Sequence, residues 1–432
     1  MDQESSIQNE HGISRPTGID MAFAVGFFFS FRWILSLFAI TVLGAEVHTS
    51  GGLSLALNFL FLGFVCIHSL GSADRKFTSM LRLTSLRWVM AFLTFSLISL
   101  AWSSTASLTA SLIYWCAMAA DVAMVILLLR AAPAIDVASS LFKGFIWSTC
   151  FIAVIVWIMP LQPDLRLGNK DFFNTNQIAE LCAFAIFLAQ YLMRRKDGRW
   201  GLAVVLLAIT LLRSLSKTTL IAFLLGQIFL LIMDRSVSRR TKVILTVAAA
   251  AAVFAFWGLI ESYYDVYTNA GNQAETLTGR LGIWAYVLNA GFEKPWIGHG
   301  FNSIWKVVPT FGDGFEARHA ENDLLQQFYS YGAVGITLLA GLYTSLYRQL
   351  CRLSNKPLKM VLLSLLLYIV VRGFAEAEPF DPLLPLWAIA LLGILIEQLT
   401  NCDDQNEVVT ASPLAQFPTL DALPQSLSAD PR

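Results

Sequence analysis

Residues 318–335 read RHAENDLLQQFYSYGAVG, and within this stretch a polar loop turns into an apolar run. A helix that spans a membrane needs roughly 20 predominantly apolar residues, and the run that starts here continues to position 347. Comparable windows recur along the chain, at 21–44, 52–70, 88–106, 108–130, 139–160, 176–193, 199–213, 216–233, 241–261, 322–347, 358–374 and 383–400. The sequence therefore predicts an all-α, polytopic membrane protein with about twelve transmembrane helices.

The composition supports this fold class and narrows the possible functions. Hydrophobic residues make up 56% of the 432 positions and charged residues 14%, with a mean hydropathy of +0.61. A soluble domain does not bury so much apolar surface. The six cysteines show neither the spacing of a disulfide framework nor that of a metal site. We expect no metal, no cofactor and no nucleic-acid partner.

Basic residues predict the orientation of the spans, because Lys and Arg collect in cytoplasmic loops. They are dense in alternate loops near 75–87, 194–199, 235–242 and 348–359. The loops that alternate with these basic loops contain no Lys or Arg at 45–51, 103–107 and 375–382. We predict a cytoplasmic tail at 1–20, a transmembrane domain at 21–400 with a long periplasmic loop at 262–320, and a disordered cytoplasmic tail at 401–432.

Several cations nevertheless fall on the predicted outer side, against this rule. They are Arg166, Lys170, Arg213, Lys217, Arg280, Lys294, Lys306 and Arg318. Positive charge on the unexpected side suggests an anionic ligand there.

The turn between two short spans, LLRSLSKTT at 211–219, concentrates polar groups at one membrane edge. Arg213 and Lys217 are four residues apart and would share a helix face, and Ser216 and Thr218 add hydroxyl groups. Such a set suits a phosphate or pyrophosphate. The alternative is that the two cations snorkel to the lipid headgroups.

Two motifs lie within the predicted outer loop. In TGRLGIW at 278–284, Thr278 could cap an interfacial helix that runs to Gly291. Arg280 would then lie in the first turn, where it opposes the helix dipole, so that a nearby anion would relieve the conflict. In PWIGHGF at 295–301, the glycines predict a turn that lets the backbone approach a ligand. We expect His299 in this turn to be positional rather than catalytic.

The stretch quoted first carries the candidate base. His319, Asn322 and Gln326 fall at helical spacing, which predicts a polar stripe that enters the bilayer edge. His319 alone among the five histidines lies between acidic and basic neighbours at the mouth of a span, and histidine is a usual general base near neutral pH. The alternative is a solvated helix start, with Glu321 and Asp323 complementing the dipole.

Two further charges lie inside predicted spans. Arg372 stands four residues before Glu376, which predicts a buried ion pair between them. The alternative is that Arg372 forms a pocket wall. Arg32, in the first span, has no assignment from the sequence.

Taken together, these motifs resemble the O-antigen ligase and polymerase superfamily of bacterial inner-membrane proteins, and within it the exopolysaccharide polymerases. The resemblance covers roughly 165–380. It rests on the order of NTNQIA at 174–179, SKTT at 216–219, TGRLGIW at 278–284, PWIGHGF at 295–301, HAEN at 319–322 and GAVG at 332–335.

The resemblance implies a metal-independent glycosyltransferase with a GT-C-like membrane fold. It would move a glycan from an undecaprenyl-pyrophosphate carrier to a glycan or lipid acceptor, in contact with membrane lipid, on the periplasmic face of the inner membrane. Arg280 would hold the pyrophosphate, and His319 would activate or position the acceptor hydroxyl. The family commonly has histidine where this chain has Glu321, so Glu321 is the second candidate base. The implied substrate-binding residues are Arg213, Lys217, Ser216, Asn176, Asn322 and Arg372.

Two functions other than polymerisation stay open at this point. A ligase that attaches glycan to lipid A core or to protein would use the same donor and similar residues. A transporter or flippase of lipid-linked sugars would also fit about twelve spans. Transporters usually show matched internal repeats, and the sequence shows no clear halves with corresponding motifs.

Overall fold

The structure is a computed structural model that describes residues 17–41, 47–69, 80–160, 166–168, 173–234, 238–240, 242–244, 247, 251, 277–311 and 316–411. The helices of these residues are α1 (Thr17–Thr41), α2 (Val47–Ser69), α3 (Thr84–Ser99), α4 (Leu108–Ala131), α5 (Ala134–Ile158), α6 (Thr175–Arg194), α7 (Gly201–Ser214), α8 (Lys217–Met233), α9 (Leu277–Gly291), α10 (Asp323–Arg352), α11 (Lys356–Gly373) and α12 (Leu386–Ala411).

Every predicted span except one coincides with a helix. The exception is the window 241–261, which lies almost wholly outside the described residues, as do 262–276 and 312–315 of the predicted outer loop. Among the residues that the structure describes there is no strand, so the all-α prediction is confirmed for that part of the chain. The described end of the outer loop contains helix α9, which finishes at Gly291 as the sequence predicts.

Four helical segments are long and apolar enough to cross a membrane, and they occupy Thr84–Trp102, Leu108–Ala131, Ala134–Ile158 and Thr175–Arg194. Four more helical segments of the described chain are apolar but shorter. The protein is therefore a multi-pass membrane protein, and the number of twelve spans stays a prediction. Helix α12 continues to Ala411, beyond the span end predicted at 400, and 412–432 lie outside the described residues, so the disordered tail stays a prediction.

Small residues let the first helix lie directly against α5. A Cβ atom on Gly26 would collide with the backbone of Leu141, and one on Gly144 would collide with the backbone of Phe23. Without a hydrophobic driving force between helices in lipid, close backbone approach at small residues supplies the packing energy. This contact anchors α1, which also carries Arg32, within the bundle.

Helix α10 is broken at Gly332, whose φ of 61° and ψ of −150° are not helical. The turn at 295–301 fills the break: His299 N–H donates to Tyr329 O at 2.9 Å, and Ala333 N–H donates to Pro295 O at 2.7 Å. A Cβ atom on Gly298 would collide with the backbone of Ser330. The glycines therefore let the turn pack against α10, and its approach to a ligand stays a prediction.

His299 has the positional role that the sequence predicts. Its ring is buried and stacks on Tyr329 with 4.5 Å between ring centroids. Its Nε2 atom lies 2.9 Å from the carbonyl oxygen of Ala290, at the end of α9. The histidine thus connects α9 to the first part of α10 and fixes the distance between them.

Candidate functional site

Three segments of the chain converge on the buried carboxylate of Glu376, which follows α11. Its Oε1 atom accepts hydrogen bonds from Asn176 Nδ2 at 2.9 Å, Arg280 Nη2 at 3.0 Å and Thr218 Oγ1 at 3.4 Å. The sequence predicts Glu376 only as the ion-pair partner of Arg372. Its position at the centre of the site follows from the tertiary structure alone.

Arg280 links Glu376 to the segment before α10. The same Nη2 atom lies 3.2 Å from Glu321 Oε2, so two carboxylates provide the anion that the sequence predicts near this residue. Both ion pairs use Nη2, which leaves Nε and Nη1 without a bond to another described residue. The side chain is 13% exposed, so part of it is accessible to a ligand. The predicted cap, Thr278, has its side chain outside the described residues.

Glu321 connects Arg280 to His319. Glu321 Oε1 lies 3.7 Å from His319 Nδ1, and the Glu321 N–H donates to that nitrogen at 3.3 Å. Burial raises the pKa of Glu321 above its ordinary value, and nearby Glu376 adds to the rise, whereas His319 and Arg280 oppose it. The result is a run of contacts from Glu376 through Arg280 and Glu321 to His319.

The backbone at Glu321 is held in an unusual conformation. Its φ of 54° is in the left-handed region, which costs a non-glycine residue roughly 1–2 kcal/mol. Trp284 Nε1 donates to the Glu321 carbonyl at 3.3 Å and thereby stabilises the turn from α9. Strain of this kind is often found at functional sites.

Asn322 begins helix α10. Its Oδ1 accepts from the backbone N–H of Leu325 at 3.0 Å, as an N-cap does, and its Nδ2 donates to Phe374 O at 2.9 Å. Because the helix begins at Asp323, His319 lies before it, and the predicted helical stripe from His319 through Asn322 is wrong. The amide of Asn322 positions this segment against the segment that carries Glu376, and a substrate contact of Asn322 stays a prediction.

The turn between α7 and α8 joins the site through Ser216. Its hydroxyl donates to Asn176 Oδ1 at 2.8 Å, so the structure brings these two predicted residues together. Asn176 lies in the first turn of α6, which begins with a capping box formed by Asn174 and Gln177. Leu215, with a φ of 58°, ends α7 in the left-handed conformation that makes so tight a turn possible.

The two cations of that turn lie to the side of these contacts. Arg213 is buried in the last turn of α7, and Lys217 is exposed and within electrostatic range of Arg166. Neither forms an ion pair with Glu376 or Glu321. Their predicted role in pyrophosphate binding stays a prediction.

Arg372 pairs with a different carboxylate from the predicted one. Its Nη1 lies 2.8 Å from Glu180 Oε1 on α6. The predicted pair with Glu376 is wrong because α11 ends at Gly373, so Glu376 leaves the helix and turns towards Arg280. Among the described residues, the buried Nε atom of Arg372 has no hydrogen-bond partner.

A cavity of about 400 Å³ extends from this site into the helical bundle. His319, Glu376 and Arg372 line it, which agrees with the alternative prediction of a pocket wall for Arg372. Arg32 and Asp121 also line the cavity and form an ion pair at 2.5 Å. Sequence reasoning could not assign Arg32, because its partner is 89 positions away on α4. Across the described ranges, no group of three or more His, Cys, Asp or Glu residues is placed to hold a metal ion.

Comparison with known proteins identifies the central part of the chain. Residues 202–340 match the O-antigen ligase family. This range includes the turn at 211–219, Arg280 and the segment with His319 and Glu321, whereas Asn176, Arg372 and Glu376 lie outside it. The resemblance predicted from the motifs is thereby confirmed.

Longer similarities exist beyond this range. Over 333 residues the chain is 26% identical to the exopolysaccharide production protein ExoQ of Rhizobium meliloti (strain 1021), which covers 68% of this chain and 73% of that protein. A solved structure described as "Structural coordination of polymerization and crosslinking by a peptidoglycan synthase complex" contains a chain with a TM-score of 0.43 and 15% identity, covering 74% of this chain and 97% of that one. The match to the O-antigen ligase family and the similarity to ExoQ agree with the exopolysaccharide branch of the predicted resemblance.

Proposed function

We propose that this protein is an inner-membrane glycosyltransferase that polymerises or transfers undecaprenyl-pyrophosphate-linked glycan in exopolysaccharide or O-antigen biosynthesis. The observation that carries the proposal is the run of contacts from Glu376 through Arg280 and Glu321 to His319, which ends at the cavity. The match to O-antigen ligases and the similarity to ExoQ support glycan as the substrate class.

In this proposal, His319 activates the acceptor hydroxyl. The acceptor oxygen bonds to C1 of the donor sugar while the bond from C1 to the pyrophosphate oxygen breaks, so the configuration at C1 inverts. The hydroxyl proton passes to His319, which lines the cavity, and the adjacent carboxylate of Glu321 stabilises the resulting imidazolium. Glu321 is the second candidate base, because its raised pKa makes it a better proton acceptor than an ordinary carboxylate.

Arg280 stabilises the departing pyrophosphate. Its Nε and Nη1 atoms can bind phosphate oxygens, as guanidinium groups do bidentately, while Nη2 stays fixed by Glu321 and Glu376. A preorganised cation at the leaving group lowers the barrier as negative charge develops there. Arg213 and Lys217 supply further positive charge from the neighbouring turn.

The site faces the periplasm in this proposal, because the loops on the opposite side carry the dense Lys and Arg residues. A lipid-linked donor would then reach the site from the outer leaflet of the membrane. The acceptor is a second lipid-linked glycan in a polymerase, and lipid A core or protein in a ligase.

The test is a reaction of the purified protein with undecaprenyl-pyrophosphate-linked oligosaccharide, followed by a gel that resolves product length. We expect the wild type to produce longer glycans and His319→Ala to lose most of this activity. Lys294→Ala is a matched control that should stay fully active, because Lys294 is an exposed cation of the same predicted outer loop. A wild-type protein that converts no lipid-linked glycan would contradict the proposal, and transfer of glycan only to lipid A core or protein would make the protein a ligase.

A further inference from the structure

Helix α9 carries hydrophobic side chains on two opposite sides. On the inner side, Ile283, Val287 and Ala290 are buried and share a core cluster with Tyr329 of α10. The helix and the residue after it, at 281–292, contain no Asp, Glu, Lys or Arg. A helix that is apolar all round is usually buried in protein or in lipid, so the outer side of α9 is not an ordinary water-facing surface.

The outer side consists of a stripe of exposed apolar residues. Leu281 is 52% exposed, Leu288 is 41% exposed, and Phe292, directly after the helix, is 64% exposed. Spacings of seven and four residues place all three on one face. Phe292 continues the last turn, because its N–H donates to Leu288 O at 3.2 Å. With 3.6 residues per turn, this face is opposite to that of Ile283 and Val287.

The stripe continues onto α10, which coincides with a predicted span. The rings of Phe292 and Phe328 contact each other with 5.4 Å between centroids. Leu324, which is 43% exposed, lies one helical turn before Phe328 on the same face of α10. In the turn after α9, Trp296 is 74% exposed, and tryptophan is enriched where a membrane meets water. An exposed apolar surface marks a contact with protein or membrane, and its continuity with a span favours lipid.

We propose that α9 lies along the membrane surface, with Leu281, Leu288 and Phe292 among the lipid acyl chains and Trp296 at the level of the headgroups. The sequence predicts an interfacial helix here, and the two apolar sides of α9 distinguish its lipid-facing side from its protein-facing side. Arg280 lies in the first turn of the same helix. The lipid contact therefore holds Arg280 near the headgroups, where the pyrophosphate of a lipid-linked donor lies, and this last consequence rests on the proposed function.

The accessibility of spin labels tests this surface. Leu281→Cys, Leu288→Cys and Phe292→Cys are made singly in the full-length chain with its six natural cysteines replaced by alanine. Each carries a nitroxide label in vesicles of phosphatidylethanolamine and phosphatidylglycerol. We expect oxygen, which concentrates in lipid, to relax these labels more strongly than a water-soluble nickel chelate does. All three side chains are exposed, so the variants should melt at the same temperature as the parent protein.

Two reference labels calibrate the measurement. Val154→Cys is the lipid reference, because Val154 is 47% exposed on α5, which is long and apolar enough to cross a membrane. Arg199→Cys, at an exposed position between α6 and α7, is the water reference. The stripe should give a ratio of oxygen to nickel accessibility close to that of Val154→Cys. A ratio like that of Arg199→Cys would overturn the proposal, and so would labels shielded from both reagents, because protein would then cover the stripe.

This proposal and the proposed function fail in different ways, because the accessibility of the labels does not depend on turnover. Lipid-exposed labels in a protein that transfers no glycan would reject the glycosyltransferase and leave the membrane contact of α9 standing. Active transfer by a protein whose stripe faces water would reject the membrane contact alone.

Discussion

At the scale of the residue, three helices meet at one carboxylate oxygen. Glu376 Oε1 receives hydrogen bonds from Asn176 on α6, Thr218 on α8 and Arg280 on α9. The carboxylate is buried, and its removal takes an acceptor from the partly buried Asn176 and Thr218, whereas Arg280 keeps its ion pair with Glu321. The residue therefore has both a structural and an electrostatic role.

Glu376→Ala should lower stability by about 1–3 kcal/mol, because partly buried donors lose their shared acceptor, and should reduce glycan transfer by at least tenfold because Arg280 loses one of its two anchors. Thermal unfolding of the purified protein and the transfer reaction measure the two effects. Glu293→Ala, at an exposed acidic residue after α9, is the control that should change neither. An unaltered melting temperature in Glu376→Ala would show that the cluster does not hold these helices together.

Glu321 gives a prediction that depends on pH. Burial raises its pKa in the folded protein above the unfolded value, so ionised Glu321 destabilises the fold, and this penalty disappears as pH falls through the raised pKa. Glu321→Gln should therefore unfold at a higher temperature than the wild type near neutral pH, and the difference should shrink as the pH is lowered. The same variant should transfer less glycan. Lower stability of Glu321→Gln at neutral pH would contradict the sign of this shift.

The sequence reveals some of these residues and not others. Arg280 and His319 stand out because charge is rare in this chain and both lie near predicted span mouths. Glu376 does not stand out, because its partners Asn176 and Arg280 are 200 and 96 positions away. Local spacing instead suggested a pair with Arg372, which the end of α11 prevents.

At the scale of the element, the break in α10 determines the position of the first part of this helix and of the residues His319 and Glu321 that precede it. Gly332 combines a φ of 61° with a ψ of −150°, a conformation available essentially to glycine alone. The turn at 295–301 occupies the break and connects it to α9. The first part of α10, and with it His319 and Glu321, depends on this junction.

Gly332→Ala should therefore lose about 1–3 kcal/mol of stability, because its Cβ atom would collide with the backbone of Trp296. Gly63→Ala is the matched control in the interior of α2, where a Cβ atom meets nothing within 4 Å. It should be neutral or slightly stabilising, since alanine favours helix over glycine. Thermal unfolding followed by circular dichroism compares the two variants. Equal melting temperatures would mean that the break at Gly332 does not require glycine.

The sequence predicts those helices that are determined by hydropathy alone. Long apolar runs identify the spans, and the two short spans around Ser214 and Leu215 predict the tight turn that the structure contains. The break at Gly332 was not predicted, because GAVG is compatible with a continuous apolar helix. Its cause is the turn at 295–301, which reaches α10 only in the folded protein.

At the scale of the whole molecule, charge is arranged asymmetrically across the predicted membrane. Basic residues crowd one set of loops, and the reactive segments belong to the opposite set. This arrangement predicts that the site opens to the periplasm.

Cysteine labelling tests that orientation. In a variant whose six natural cysteines are replaced by alanine, Lys294→Cys should react with a membrane-impermeant maleimide in intact spheroplasts. Arg199→Cys, in the basic loop between α6 and α7, should react only after permeabilisation. Both positions are exposed in the structure. The reverse pattern would place the site on the cytoplasmic side and remove the basis for a periplasmic donor.

The most direct measurement is single-turnover transfer from undecaprenyl-pyrophosphate-linked oligosaccharide by the wild type and Arg280→Ala under identical conditions. Arg280 is the residue through which Glu376 and Glu321 are joined and the proposed anchor of the departing pyrophosphate. We predict that Arg280→Ala, folded by its melting curve, forms no product, whereas Lys294→Ala matches the wild type. Full activity in a folded Arg280→Ala protein would contradict the proposed site.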